Sequence, residues 1–172
     1  TTMLYQGIDS RIQAIQNAAY ARVYGMQWSL DAQLGSRWIL TTRMNLQKGE
    51  EELDNGAISP SRHAAPYFGE SSLSYEHNSW SGILIHRFQG TKLHSQMAIT
   101  ERGKTELYAL NAENLTYAPS WGVWNLVGKY EIADRGNILL KVENLTDQRY
   151  RPYSSGISAP GRSVQLGFSV HF

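Results

Sequence analysis

The feature that most constrains this chain is an apolar/polar alternation of period two that recurs along most of its length. The last ten residues read SVQLGFSVHF. Val164, Leu166, Phe168, Val170 and Phe172 fall on even positions, with Ser163, Gln165, Gly167, Ser169 and His171 between them. Successive side chains of a strand point to opposite faces, so this run is a strand apolar on one side and polar on the other. Upstream, Tyr24, Met26, Trp28, Leu30, Ala32 and Leu34 alternate with Gly25, Gln27, Ser29, Asp31 and Gln33. After Gly35-Ser36 the pattern resumes as Trp38, Leu40, Thr42, Met44 and Leu46. Two strands of about ten residues joined by so short a turn predict a hairpin. Further strands are predicted over 67–76, 80–88, 121–132 and 137–145. No stretch carries a helical period with caps at both ends.

The connections follow a rhythm. Those at 35–36, 77–79 and 133–136 are short; those at 48–65, 89–120 and 146–162 are long. Tight turns on one side and longer loops on the other characterise transmembrane barrels, and tilted spans of about 9–11 residues cross a bilayer. Trp38, Trp80 and Trp121 stand at strand edges, where an aromatic girdle is expected. The expected fold is therefore all-β, made of antiparallel transmembrane β-barrel strands. A soluble antiparallel sandwich alternates in the same way with its apolar face inward, and the pattern by itself leaves that alternative open. Mean hydropathy, −0.42, does not decide between them, because barrel strands average out polar. No apolar run approaches the ~18 residues of a membrane helix.

Composition and motifs exclude several functions. Net charge is +1, which gives no general attraction to nucleic acid. The absence of cysteine removes disulfides, thiol catalysis and cysteine-based zinc sites. No nucleotide-binding, serine-hydrolase or zinc-protease signature is present, so no catalytic residue is assigned. His63, His77, His86, His94 and His171 are not at metal-ligand spacing, and neither a metal site nor a cofactor is expected. Glu50, Glu51, Glu52 and Asp54 could hold a cation, although such a run is ordinarily a solvated loop. Arg62 and His63, adjacent in a long polar loop, are the candidate ligand contacts. Arg43, Glu70, Lys141 and Glu143 fall on the polar side of their strands and suit a wet interior.

From residue 137 onward the chain resembles the C-terminus of TonB-dependent outer-membrane receptors. The residues that carry the likeness are Val142, Glu143, Asn144, Leu145, Asp147 and Tyr150, then Pro160-Gly161-Arg162 before a last strand ending on Phe172. Asn17 through Gly25 is similar to the family's entrance to a strand, and Ala65-Pro66-Tyr67-Phe68-Gly69 to a strand start. The resemblance implies about 7–8 strands of a 22-stranded barrel, with short periplasmic turns and long extracellular loops. Residues 1–172 would be its C-terminal part, with the N-terminal plug and earlier strands lying outside this sequence.

By the same resemblance, Val164, Leu166, Phe168, Val170 and Phe172 are the signal read by the barrel-assembly machinery. The implied function is uptake of a scarce nutrient of the iron-chelate (siderophore), haem or cobalamin class. The implied partners are the rest of the barrel and plug, the TonB complex, outer-membrane lipid and a small nutrient molecule, with no nucleic acid. Two other readings remain. A stand-alone eight-stranded barrel, acting as an adhesin or anchor, needs residues 3–15 to form a strand against 164–172. A soluble β-sandwich binding module needs the apolar face buried.

Overall fold

Strands that alternate so regularly can pair only with their faces in step, because a one-residue slip would turn every apolar side chain to the wrong side. The computed structural model, which describes residues 2–5, 8–11 and 20–170, places them in that way. Its elements are β1 (Thr2–Tyr5), β2 (Ile8–Arg11), β3 (Ala21–Leu34), β4 (Trp38–Glu52), β5 (Ile58–Pro60), β6 (Phe68–His77), β7 (Trp80–Gln89), β8 (Ala109–Leu110), β9 (Thr116–Tyr117), β10 (Trp121–Glu131), β11 (Gly136–Glu143) and β12 (Ser163–Val170). Strands β12-β11-β10-β7-β6-β4-β3 form one antiparallel sheet, and β5 adds to the end of β4 as its eighth strand. Chain order and spatial order agree, apart from the tiny β8–β9 ribbon in the β7–β10 loop. The sheet is an up-and-down meander, the topology from which barrel walls are made.

The turns obey their local chemistry. Asn78 and Ser79 link the His77↔Trp80 pair, and Asn78 takes φ 51°, the left-handed conformation that two-residue hairpins favour. Gly35 has φ 79° in the β3–β4 turn, where a side chain would be strained. At the opposite end of the sheet are the long connections.

Register fixes two faces. Leu40, Leu73, Leu84, Leu126, Val142 and Val164 form one continuous row across six strands. Trp38 and Tyr75 lie in the next row towards the short turns, with rings 4.5 Å apart, and Trp80 and Tyr130 pair at 4.4 Å nearby. This face stays uncovered: Met26 is 61% exposed, Leu166 60% and Phe168 68%. The buried apolar side chains described lie mainly outside the sheet, where Met97, Tyr108 and Ala118 cluster with Leu107 and Tyr153 among the long loops. A sandwich would do the reverse and bury the apolar face of its sheet.

The structure departs from the sequence reading in three places. Strands β3 and β4 pair from Leu34↔Trp38 out to Ala21↔Glu51, well beyond ten residues each. The acidic run Glu50–Glu52 is therefore strand rather than loop, held between β3 and β5. Trp121 belongs to the polar face, in register with Gln89; Trp124 is the indole on the apolar side, stacked on His86 at 4.3 Å. Finally, β1 and β2 pair with each other, so residues 2–11 do not run as one strand. The rest of the 3–15 segment, together with Asn17, Ala18, Ala19, His171 and Phe172, lies outside the described residues.

Candidate functional site

The polar face carries an ordered set of charges. Ser29, Arg43, Glu70, Arg87 and Val123 form one row across β3, β4, β6, β7 and β10. Arg87 Nε donates to Glu70 Oε2 at 2.6 Å, and Arg43 stands 4.0 Å from Asp31, which also accepts a 2.7 Å bond from the Thr41 hydroxyl. Lys141 pairs with Glu143 at 3.0 Å. All four charges expected on the inner side, Arg43, Glu70, Lys141 and Glu143, are thus matched within the wall.

One row nearer the long loops, Gln27, Asn45, Phe68, Gln89 and Trp121 line a cavity of about 1020 Å³ together with Arg43, Arg87 and Tyr153. Three atoms in this row, Asn45 Oδ1, Gln89 Nε2 and Trp121 Nε1, are buried without a hydrogen-bond partner. Such groups are uncommon in folded proteins, because each forfeits its bond to water without replacement.

Above the cavity the long loops fold into one body around Glu101. The Glu101 carboxylate is 0% exposed. It receives Arg62 Nε at 2.7 Å, Lys104 Nζ at 2.6 Å and the Tyr108 hydroxyl at 2.8 Å. Burial pushes the Glu101 pKa up, but bonds from Lys104 and Tyr108 and the charges of Arg62 and Lys104 outweigh it, so the net shift is down. Burial and the hydrogen bond to Glu101 raise the Tyr108 phenol well above its usual range. The third loop joins through Tyr153: its hydroxyl bonds the Arg62 carbonyl at 3.3 Å, its ring lies 5.9 Å from that of Tyr108, and its backbone N–H donates to Gln89 Oε1 at 2.9 Å. Lys92, 7% exposed, donates to the Ala64 carbonyl at 2.5 Å, with its ammonium 5.5 Å from the Tyr153 ring. Burial lowers its pKa.

The sequence motif after β11 becomes a second hub. Asn144, 4% exposed, takes φ 51° and ends the strand. Its N–H donates to Asn125 Oδ1, its Nδ2 to the carbonyls of Gln148 and Pro160, and its Oδ1 accepts from the Gln148 N–H. Asp147 Oδ1 accepts the Arg162 N–H at 2.8 Å, and the Arg162 guanidinium lies 3.8 Å from Asp147 Oδ2. A Cβ on Gly161 would stand 2.9 Å from that Asp147 oxygen. Tyr150 lays its ring on Trp121 at 4.4 Å, Glu143 accepts from the Ser163 hydroxyl, and the Leu145 N–H donates to the Trp124 carbonyl. The motif therefore ties β10, β11 and the start of β12 to one loop.

Arg62 and His63, paired in the sequence reading, part company here. The guanidinium of Arg62 is engaged by Glu101, whereas His63 is exposed at the surface of the same loop. Val164, Leu166, Phe168 and Val170 all lie on the apolar face. Among the described residues no three His, Asp or Glu side chains converge on a metal site. Sequence reasoning missed Glu101, whose neighbours Thr100, Arg102 and Gly103 resemble an ordinary surface turn. It also missed the unpartnered row, which exists only once the strands are in register.

No family model matches the chain. Several solved structures do. A copper transporter, OprC, superposes with TM-score 0.65 at 18% identity, covering 84% of this chain and 22% of that one. The FrpB iron transporter from Neisseria meningitidis gives TM-score 0.64 at 16% identity, with 88% and 24% covered. The ferric yersiniabactin uptake receptor FyuA from Yersinia pestis gives 0.59 at 16%, with 92% and 23% covered. The chain thus spans less than a quarter of each of these proteins, and over that stretch it shares their antiparallel β-barrel fold.

Proposed function

We propose that this chain is the C-terminal part of the barrel of a TonB-dependent outer-membrane transporter, which takes up a scarce nutrient of the iron-chelate, haem or cobalamin class. The observation that carries this reading is the pair of faces. An apolar face with exposed large side chains on six of its seven strands suits lipid, and a polar face with matched charges suits a wet interior. The proteins of like fold are transporters or uptake receptors for copper, iron or ferric yersiniabactin, which supports transport across the outer membrane in general. The choice of nutrient comes from the sequence resemblance.

In this reading Trp38, Tyr75, Trp80 and Tyr130 sit at the periplasmic boundary, and the body around Glu101 is the extracellular end. His63 is the ligand contact left free by the Arg62–Glu101 pair. Strands β3 and β12, each paired on one side among the described residues, are the seams for the remaining wall, and β12 carries the assembly signal. The plug would lie against the polar face of this wall, with the TonB complex acting on the transporter as a whole. No covalent chemistry is assigned to any residue here. The stand-alone eight-stranded barrel loses its first strand to the β1–β2 hairpin, and the sandwich is at odds with the exposed apolar face.

The test is uptake by cells that lack the intact protein, using a radiolabelled ferric chelate, haem and cobalamin in turn. Uptake of one of them should fall with the deletion, return with the gene, and vanish when TonB is removed. Intact protein recovered solely from the soluble fraction, with uptake unchanged, sinks the proposal.

A further inference from the structure

A separate cavity of about 470 Å³ lies between the second and third long loops and shares Trp121 with the larger one. Among the groups that line it are Arg149, Arg151, Thr105, Ser120, Ser158 and the Trp121 indole. We propose that it binds the oxyanion, carboxylate or phosphate, of a small solute.

The cavity is rich in hydrogen-bond donors. Arg149 is exposed and has no hydrogen-bond or ion-pair partner among the described residues. Arg151 is held in place by main-chain acceptors alone: its Nη1 donates to the carbonyls of Glu106 at 2.7 Å and Leu107 at 3.1 Å. That arrangement fixes the guanidinium plane without neutralising it, and a guanidinium has further N–H groups to offer. The Trp121 ring lines the cavity beside the two arginines, while its Nε1–H is buried below the surface. The hydroxyls of Thr105, Ser120 and Ser158 add donors that can turn to suit a ligand. The one carboxylate at the cavity is that of Glu106, and it forms an ion pair with neither arginine.

A site with two arginines and three hydroxyls is complementary to a ligand rich in acceptors. The Tyr150 ring, packed on Trp121 at 4.4 Å, gives it a flat aromatic wall. Planar carboxylates and tetrahedral phosphates both suit forked guanidinium donors. The inference rests on loop geometry and not on transport, so failure of the uptake experiment would leave it standing.

The experiment is calorimetric titration of the intact protein in neutral detergent with succinate and, separately, with inorganic phosphate, each at constant ionic strength. A parallel titration follows the ¹⁵N–¹H resonance of the Trp121 indole, identified by its loss in Trp121→Phe. At least one anion should bind saturably and shift that resonance. Arg149→Gln should weaken binding about tenfold, the effect of losing a charged hydrogen-bond donor. Arg151→Lys, which keeps the charge and loses the fork, should weaken it less than Arg151→Gln. Saturation by succinate alone assigns carboxylates, and by phosphate alone phosphoryl groups. The proposal is overturned if neither anion saturates, if chloride at matched strength gives the same response, or if Arg149→Gln binds as tightly as wild type.

Discussion

At the scale of single residues, Glu101 shows how far a side chain can be from its sequence appearance. It stands in a polar stretch of the longest loop, yet it is 0% exposed because donors from two loops converge on it. An amide in its place cannot neutralise Arg62 and Lys104. Glu101→Gln should therefore loosen the loop body by about 2 kcal/mol, the worth of a charged hydrogen bond. Loss of this kind is local: amide exchange should quicken over residues 90–120 and stay unchanged in β11 and β12. The pH dependence follows from linkage. The Glu101 pKa is depressed in the folded loops, so its stabilisation is present above the ordinary glutamate value of about 4.3 and is lost as pH falls through the folded value. The Tyr108 pKa is raised, so its share is complete below about pH 10 and is lost as pH rises beyond that. Protection of the loop amides, relative to their intrinsic exchange rates, should be greatest between those limits, and Glu101→Gln should remove the acid limb. Asn144 was more legible: a short polar residue at a predicted strand exit is suited to binding freed backbone groups, and here its side chain makes three such bonds. Its partners across the loop, Gln148 and Pro160, could not be read from spacing.

For whole elements, the face of each strand was legible and its length was not. Period two assigns Leu166 to one side and Gln165 to the other whatever the register, and both lie where parity puts them, opposite Leu140 and Lys141. Strand ends depend on partners. Glu50–Glu52 reads as a loop because three acids have no reason to alternate, and only pairing with β3 and β5 makes them strand. Trp121 misled for a related reason: an indole at a strand edge suits a girdle or an interior equally, and the parity of Trp124 decides. This difference between faces gives a direct test on β12. Leu166→Arg places a charge among lipid chains and should cost about 2–4 kcal/mol if near the bilayer midplane. Gln165→Arg, one residue away, should cost little. The measurement is the yield of folded intact protein in outer membranes, with denaturant midpoints in lipid vesicles. Equal tolerance of the two would remove the assignment of the apolar face to lipid.

The whole sheet poses a problem that neither residues nor strands can solve. Among the described residues β3 is paired only with β4, and β12 only with β11. Each therefore presents a ladder of free backbone groups along one edge. In water such edges recruit other chains, and within a bilayer each unpaired group costs several kcal/mol. Seven long strands could close on themselves only by joining β3 to β12, whereas the proposed function places further wall between them. Refolded alone into detergent, residues 1–172 should then run on size exclusion as a mixture of oligomers, with no compact monomer band that shifts on boiling. The intact protein should give a single band that does shift. A heat-shifting monomer from residues 1–172 would mean that β3 and β12 find each other, which would restore the small closed barrel. Mixing residues 1–172 with the remaining part of the protein separates the two cases further. Seams built to accept the missing wall should recover the compact species in proportion to the added partner, whereas a self-closed barrel should ignore it.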